Sequence, residues 1–312
     1  MAFDLHPEMA PLIAERDKLP PATEIADIRR NWAVYSKASW VPPPAGMKVE
    51  DRTVKARDGH AIPVRVYTPA GGGSGAGVSY FHGGGFVKGD PDSSDTTGWG
   101  LAAETGAVTV SVDYRLAPEN KYPTALNDCV DVVIDMHTNP KTYGVDPTRL
   151  GVVGDSAGGN LAAATALWAR QNGKPALRCQ GLIYPCLTDR LTAPAYARNA
   201  EAPGLTTASM RGYWRDYLGE EKAGHSTDPL ATPLVADDLS GLPPAYVLVA
   251  EHDPLIDDGI AYAQRLIAAG VETGFSRANR MIHGFIRRRT HGPDCGRAFS
   301  AMTEFLRTKL DG

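Results

Sequence analysis

The 312-residue chain is predicted to be an α/β protein, a mainly parallel sheet covered by helices on both faces. Three observations carry this. Short apolar runs alternate with helix-like stretches along most of the chain, the pattern of successive strand–helix units. Leu150-Gly-Val-Val153 passes through Gly154-Asp-Ser-Ala-Gly158 directly into the Ala-rich stretch 161–168, so a strand, one tight turn and a helix succeed one another without a break. Ser156, Asp253 and His283 each come just after an expected strand. In such a sheet the reactive groups gather beyond the carboxyl ends of the strands.

Residues 1–45 read as helical and separate from the remainder of the chain. Met9, Leu12 and Ile13 share one helical face, Ile25, Ile28, Trp32 and Tyr35 another, and Pro42-Pro-Pro44 ends the segment. Residues 49–56 and 62–68 are β-rich and joined across Asp58-Gly59, a hairpin signal. Gly71-Gly-Gly-Ser-Gly75 could be mistaken for a phosphate loop, but no helix start and no Gly-Lys-Ser/Thr comes after it, so it is a flexible surface loop.

The stretch 77–81 is a strand and runs into His82-Gly-Gly-Gly-Phe86, where adjacent glycines let backbone N–H groups converge on a cavity, as an oxyanion hole requires. A helix is expected near 92–105, a strand at 107–113 and a helix at 122–137 before the serine turn. After a strand at 181–184 the alternation stops. From 185 to about 225 aromatic and aliphatic residues are scattered through polar, helix-like sequence, which reads as an inserted helical element. Strand 245–250, helix 255–269 stopped by Gly270, strand 272–277 and helix 295–309 complete the chain.

Composition narrows the function. The chain is 43% hydrophobic and 22% charged, with net charge -4, which speaks against nucleic acid or an anionic membrane as partner. The basic run Arg287-Arg288-Arg289 is short and reads as a solvated face. Cys129, Cys179, Cys186 and Cys295 lack metal-ligand or C-x-x-C spacing and fit reduced thiols. The first residues have neither a basic nor an apolar signal region, and no apolar run reaches the ~20 residues of a membrane span. A cytoplasmic location is expected, with no metal and no cofactor.

The serine turn needs Gly154 and Gly158, because any Cβ there would collide as strand and helix close up, and it puts the Ala157 N–H at a helix N-terminus that favours an anion. A serine hydroxyl is a weak nucleophile until a base takes its proton. An imidazole suits that task, and a carboxylate fixes its tautomer. Among eight histidines His283 has the right place; His82 is embedded in the glycines and His252 is beside the acid, facing away. Asp253 is the expected acid, ahead of Glu251, Asp257 and Asp258. Asp155, next to the nucleophile, cannot reach the imidazole and is expected to hold the turn by hydrogen bonds.

With these residues the chain resembles the hormone-sensitive-lipase-like family of α/β-hydrolases, which includes bacterial carboxylesterases. The resemblance rests on His82-Gly-Gly-Gly-Phe86, Asp113-Tyr-Arg-Leu-Ala-Pro-Glu119, Gly154-Asp-Ser-Ala-Gly-Gly159, Asp253-Pro-Leu255 and His283-Gly-Phe285, in this order, and covers the chain from about residue 50 onward. One departure is Ile256, where family members often carry Arg. The resemblance implies an eight-stranded sheet, a helical cap from segments 1–45 and 186–224, and a catalytic core from 46–185 and 225–312. It implies an oxyanion hole from the N–H groups of Gly83, Gly84 and Ala157, and a homodimer paired through the last strand.

The expected function is a serine carboxylesterase acting on small esters of short or medium acyl chain, with Ser156 as nucleophile, His283 as base and Asp253 orienting it. An amidase, carbamate hydrolase or lactonase could use the same three residues. A non-catalytic binding homologue is disfavoured by the presence of His283.

Overall fold

The computed structural model describes residues 3–312. Eight strands, β1 (Lys48–Lys55), β2 (Ala61–Thr68), β3 (Gly77–Phe81), β4 (Val108–Val112), β5 (Leu150–Asp155), β6 (Leu177–Ile183), β7 (Ala245–His252) and β8 (Thr273–Ile282), form one sheet in the order β1-β2-β4-β3-β5-β6-β7-β8. Strand β2 pairs antiparallel with both β1 and β4, and every other pairing is parallel. The central strands β3, β4 and β5 are buried along their whole length, which is why they read as largely apolar runs, whereas edge strand β1 is largely exposed.

The helices are α1 (Ala10–Asp17), α2 (Ile25–Lys37), α3 (Asp95–Thr105), α4 (Thr124–Thr138), α5 (Pro140–Tyr143), α6 (Ala157–Asn172), α7 (Pro194–Arg198), α8 (Thr207–Leu218), α9 (Ile256–Ala268) and α10 (Pro293–Asp311). Two apolar cores result, one on each face of the sheet. The first packs α4, α6 and α9 with residues of α7 and α8 against one face. The second packs Met9, Leu12 and α10, through Phe299, Met302 and Leu306, against the other. Between β6 and β7, among the described residues, lie α7, α8 and loops, with no strand.

Three expectations need correction. Strand β6 begins at Leu177, before the apolar run, because Leu177, Cys179 and Gln180 also pair with β5, Arg178 falling at a register shift. Strand β8 continues to Ile282, since its outward positions are polar and hid the alternation. The basic run is not a solvated face: the Arg289 side chain is 5% exposed and lies 4.2 Å over the ring of Trp99, while Arg287 lies 4.3 Å over Trp32. A guanidinium stacks on an aromatic face with little desolvation penalty, so these arginines pack inward.

Candidate active site

Ser156 stands between β5 and α6 with φ 58° and ψ -117°, a conformation costing a non-glycine residue roughly 1–3 kcal/mol. Its backbone is pinned from both sides: its N–H donates to Ile183 O at 2.8 Å, and its carbonyl accepts from Asn160 N at 3.1 Å and Cys186 N at 3.3 Å. A Cβ on Gly154 would run into the carbonyl of Gly158, and one on Gly158 into that of Phe81. The turn closes only because both are glycine.

The loop after β8 brings His283 Nε2 to 2.9 Å from Ser156 Oγ. Its Nδ1 donates to Asp253 Oδ2 at 2.6 Å, since a carboxylate can only accept. Asp253, fully buried after β7, also accepts the Leu255 N–H through Oδ1 at 2.9 Å. Asn199, in the insert, donates to the Asp253 carbonyl at 2.9 Å and so braces the loop from the cap side. The structure thus brings Ser156, His283 and Asp253, far apart in sequence, into one hydrogen-bonded line.

The neighbouring candidates are engaged elsewhere. Glu251 accepts from Arg280 N, Asp257 from Ala195 N, and Asp258 from Leu187 N and Tyr196 OH. Burial pushes the Asp258 carboxyl up to about 7. His252 contacts Asp4 O. His82 is fully buried, stacked 4.3 Å from the Tyr114 ring, and burial holds its pKa below the ordinary value, which keeps it a neutral packing group.

The glycine loop differs from expectation at one position. The Gly83 N–H donates to Asp155 Oδ1 at 2.9 Å, and the same oxygen accepts Tyr80 OH at 2.7 Å. That donor is therefore spent on holding the loop against the serine turn. Among the described residues no acceptor is found for the N–H groups of Gly84, Gly85 and Ala157, and both glycines line the cavity that holds Ser156 and His283. Gly84 has φ 144°, and a Cβ there would strike the carbonyl of Lys88.

The cavity at Ser156 is small, about 50 Å³, and opens beside an outer one of about 330 Å³. Trp32 and Tyr35 of α2 and Tyr213 of α8 wall both. A Cβ on Gly85 would lie 2.5 Å from the Tyr213 ring, so the insert lies directly over the glycine loop. Lys88, Tyr184 and Arg287 complete the inner wall. Sequence reasoning did not single these three out for the site; the Trp32 and Tyr35 stripe was the visible signal for the wall.

A serine, a histidine and a carboxylate in line at the carboxyl ends of parallel strands, with free N–H donors beside the serine, define a serine hydrolase site on an α/β sheet. The sequence family described as the alpha/beta hydrolase fold matches residues 78–287, and the chain belongs to that family, in its hormone-sensitive-lipase-like branch. It is 40% identical over 242 residues to carboxylesterase NlhH of Mycobacterium tuberculosis, covering 77% of this chain and 76% of that protein. It is 37% identical over 243 residues to ethyl acetate hydrolase of Pseudomonas putida, covering 77% and 76%. The structure of a Pyrobaculum calidifontis esterase superposes with a TM-score of 0.88 at 36% identity, covering 99% of this chain and 100% of that one.

Proposed function

We propose that this chain is a serine carboxylesterase that hydrolyses small carboxylic esters through an acyl-enzyme. The observation that carries the proposal is the continuous Ser156–His283–Asp253 hydrogen-bond line at 2.9 and 2.6 Å; relatives named carboxylesterase and ethyl acetate hydrolase support it. His283 takes the Ser156 proton as Oγ attacks the ester carbonyl. Asp253 keeps Nδ1 protonated, so Nε2 is the free base, and stabilises the imidazolium that forms. The negative oxygen of the tetrahedral intermediate is received by the N–H groups of Gly84, Gly85 and Ala157, with the α6 N-terminus adding its dipole. His283 then protonates the leaving alcohol, and water activated by His283 cleaves the acyl-enzyme.

In this reading residues 1–45 and 186–224 roof the cavity and select the substrate, while 46–185 and 225–312 carry the chemistry. The small inner volume favours short and medium acyl chains. No helix among the described residues is long and apolar enough to cross a membrane. The four cysteines, free and buried, support a reducing cytoplasmic setting. Phe275, 42% exposed on edge strand β8, supports pairing of two copies along that edge. The test is a hydrolysis screen over acyl lengths with a phosphonate probe. Ester turnover with labelling at Ser156 is expected, and turnover with labelling at a different serine would overturn the mechanism.

A further inference from the structure

The cap-facing wall of the active-site cavity carries cations without counter-ions. Lys88 lies just past the glycine loop and is 9% exposed. Its Nζ donates to the Tyr213 hydroxyl and lies 5.0 Å from the ring centre of Trp32 and 4.4 Å from that of Tyr213. An ammonium has three donors, and here a single oxygen accepts from it. Arg287 lies 4.3 Å over the Trp32 ring and donates to Ser36 Oγ at 3.2 Å and Ser93 O at 2.9 Å. Among the described residues neither cation has a carboxylate oxygen within 4.0 Å, and neither does Arg16, which lines the outer cavity.

A positive charge this far from water is costly unless something negative answers it. The acidic groups nearest the site do not pair with them: Asp155 lines the inner cavity without a cation within 4.0 Å, its Oδ1 holding Tyr80 OH and Gly83 N–H, and Asp253 is fully buried behind His283. Arg287 and Arg16 both act on the Tyr35 hydroxyl between the two cavities, so their charges converge there. Lys88 belongs to the inner and the outer cavity alike, so a group leading outward from Ser156 passes its Nζ. The Trp32 indole N–H, buried and without an acceptor among the described residues, adds an unmet donor at the same wall.

We propose that the cavity recognises esters one half of which carries a carboxylate, with Lys88 and Arg287 as the groups that read the charge. This rests on the ester-hydrolase reading above and names its substrate class. For a monoester of a dicarboxylic acid, water is consumed, the acyl–oxygen bond breaks, and an alcohol, a dicarboxylate and one proton are released.

The test compares matched pairs of substrates on the full chain. In one arm the charge is on the acyl side, in monomethyl esters of succinic, glutaric and adipic acids. In the other it is on the alcohol side, in acetate esters of ω-hydroxy acids. Each is paired with the ester in which an isopropyl group replaces the carboxylate. In at least one arm kcat/KM for the anionic ester should exceed that of its neutral partner by on the order of tenfold, and added salt should shrink the ratio. Lys88→Met and Arg287→Met should each lower the ratio by a similar factor, and Lys88→Arg should retain most of it. Equal losses on both esters would make these residues supports of the cap and overturn the proposal. So would a parent enzyme that favours the neutral ester in both arms, which would leave ester hydrolysis itself standing. Failure to turn over any ester, neutral or charged, would overturn the underlying reading instead. Should the variants not fold, the ratio of the parent enzyme and its salt dependence decide the matter.

Discussion

Asp155 Oδ1 holds the Gly83 N–H at 2.9 Å and so joins the residue beside the nucleophile to the loop beneath the substrate. The serine turn and the glycine loop are thereby one rigid unit, and the Asp155 carboxylate helps to place Gly84 and Gly85, whose N–H groups are free, in the wall of the cavity at Ser156. Asp155→Ala should lower kcat by on the order of 10²-fold with KM changed far less, the signature of lost transition-state stabilisation. An unaltered kcat in a folded variant would show that the loop holds its shape without this bond.

Removal of the nucleophile should be near-complete in effect. Ser156→Ala is expected to reduce ester turnover by on the order of 10⁶-fold. Steady-state rates with a chromogenic acetate ester check this, and near-normal turnover would refute the assignment.

The acid can be separated from its neighbours. Asp253→Asn should fold and lose roughly 10⁴-fold in kcat, because the amide stabilises the wrong imidazole tautomer. Asp257→Asn, at a side chain that caps the Ala195 N–H and pairs with Arg198 at 3.5 Å, should cost a few-fold at most, since both contacts lie outside the site. A large loss at Asp257 with a small one at Asp253 would reverse the assignment.

Stability should carry a pH signature from Asp258. Burial raises its carboxyl from 3.8 to about 7 in the folded chain. A carboxyl that keeps its proton better when folded adds stability at low pH, and that contribution drains away as pH climbs from about 4 through about 7. The melting temperature of the parent should therefore fall relative to Asp258→Asn over that interval. A constant difference between the two would mean that Asp258 titrates alike in folded and unfolded chains.

Cap side chains should tune the substrate without touching the chemistry. Trp32→Ala and Tyr213→Ala open the shared wall of both cavities. Each should raise kcat/KM for octanoyl relative to acetyl esters several-fold, and an unchanged acyl-length profile would remove these rings from the substrate path.

How much the sequence disclosed depended on how local each feature is. The serine turn was legible because its glycines must lie two residues either side of Ser156, whatever the rest of the chain does. The parallel core was legible because strands buried on both faces are largely apolar. The choice among the glycine N–H groups was not, for it depends on where the Asp155 side chain turns, a contact 72 residues away. Strand β8 was cut short at Arg277 because Asn279 and Arg280 beyond it are exposed, and their polarity masked a paired strand. Arg287 and Arg289 were hidden for a related reason: a charged residue is assigned to water until the aromatic ring that shelters it, Trp32 or Trp99, is known to be its neighbour.

The docking of the N-terminal helices has a consequence for the order in which the protein can be built. Glu8 accepts from the N–H groups of Asp294 and Cys295, the His6 N–H donates to Arg280 O, and Arg29 donates to Val87 O, Ala117 O and Glu119. Residues made early in this stretch are thus seated on residues made much later. During synthesis α1 must wait, its Met9 and Leu12 without their core, until the chain past Cys295 has emerged, whereas α2 can dock earlier through Arg29 on Val87, Ala117 and Glu119. The central strands can thus pair before α1 finds its seat against α10.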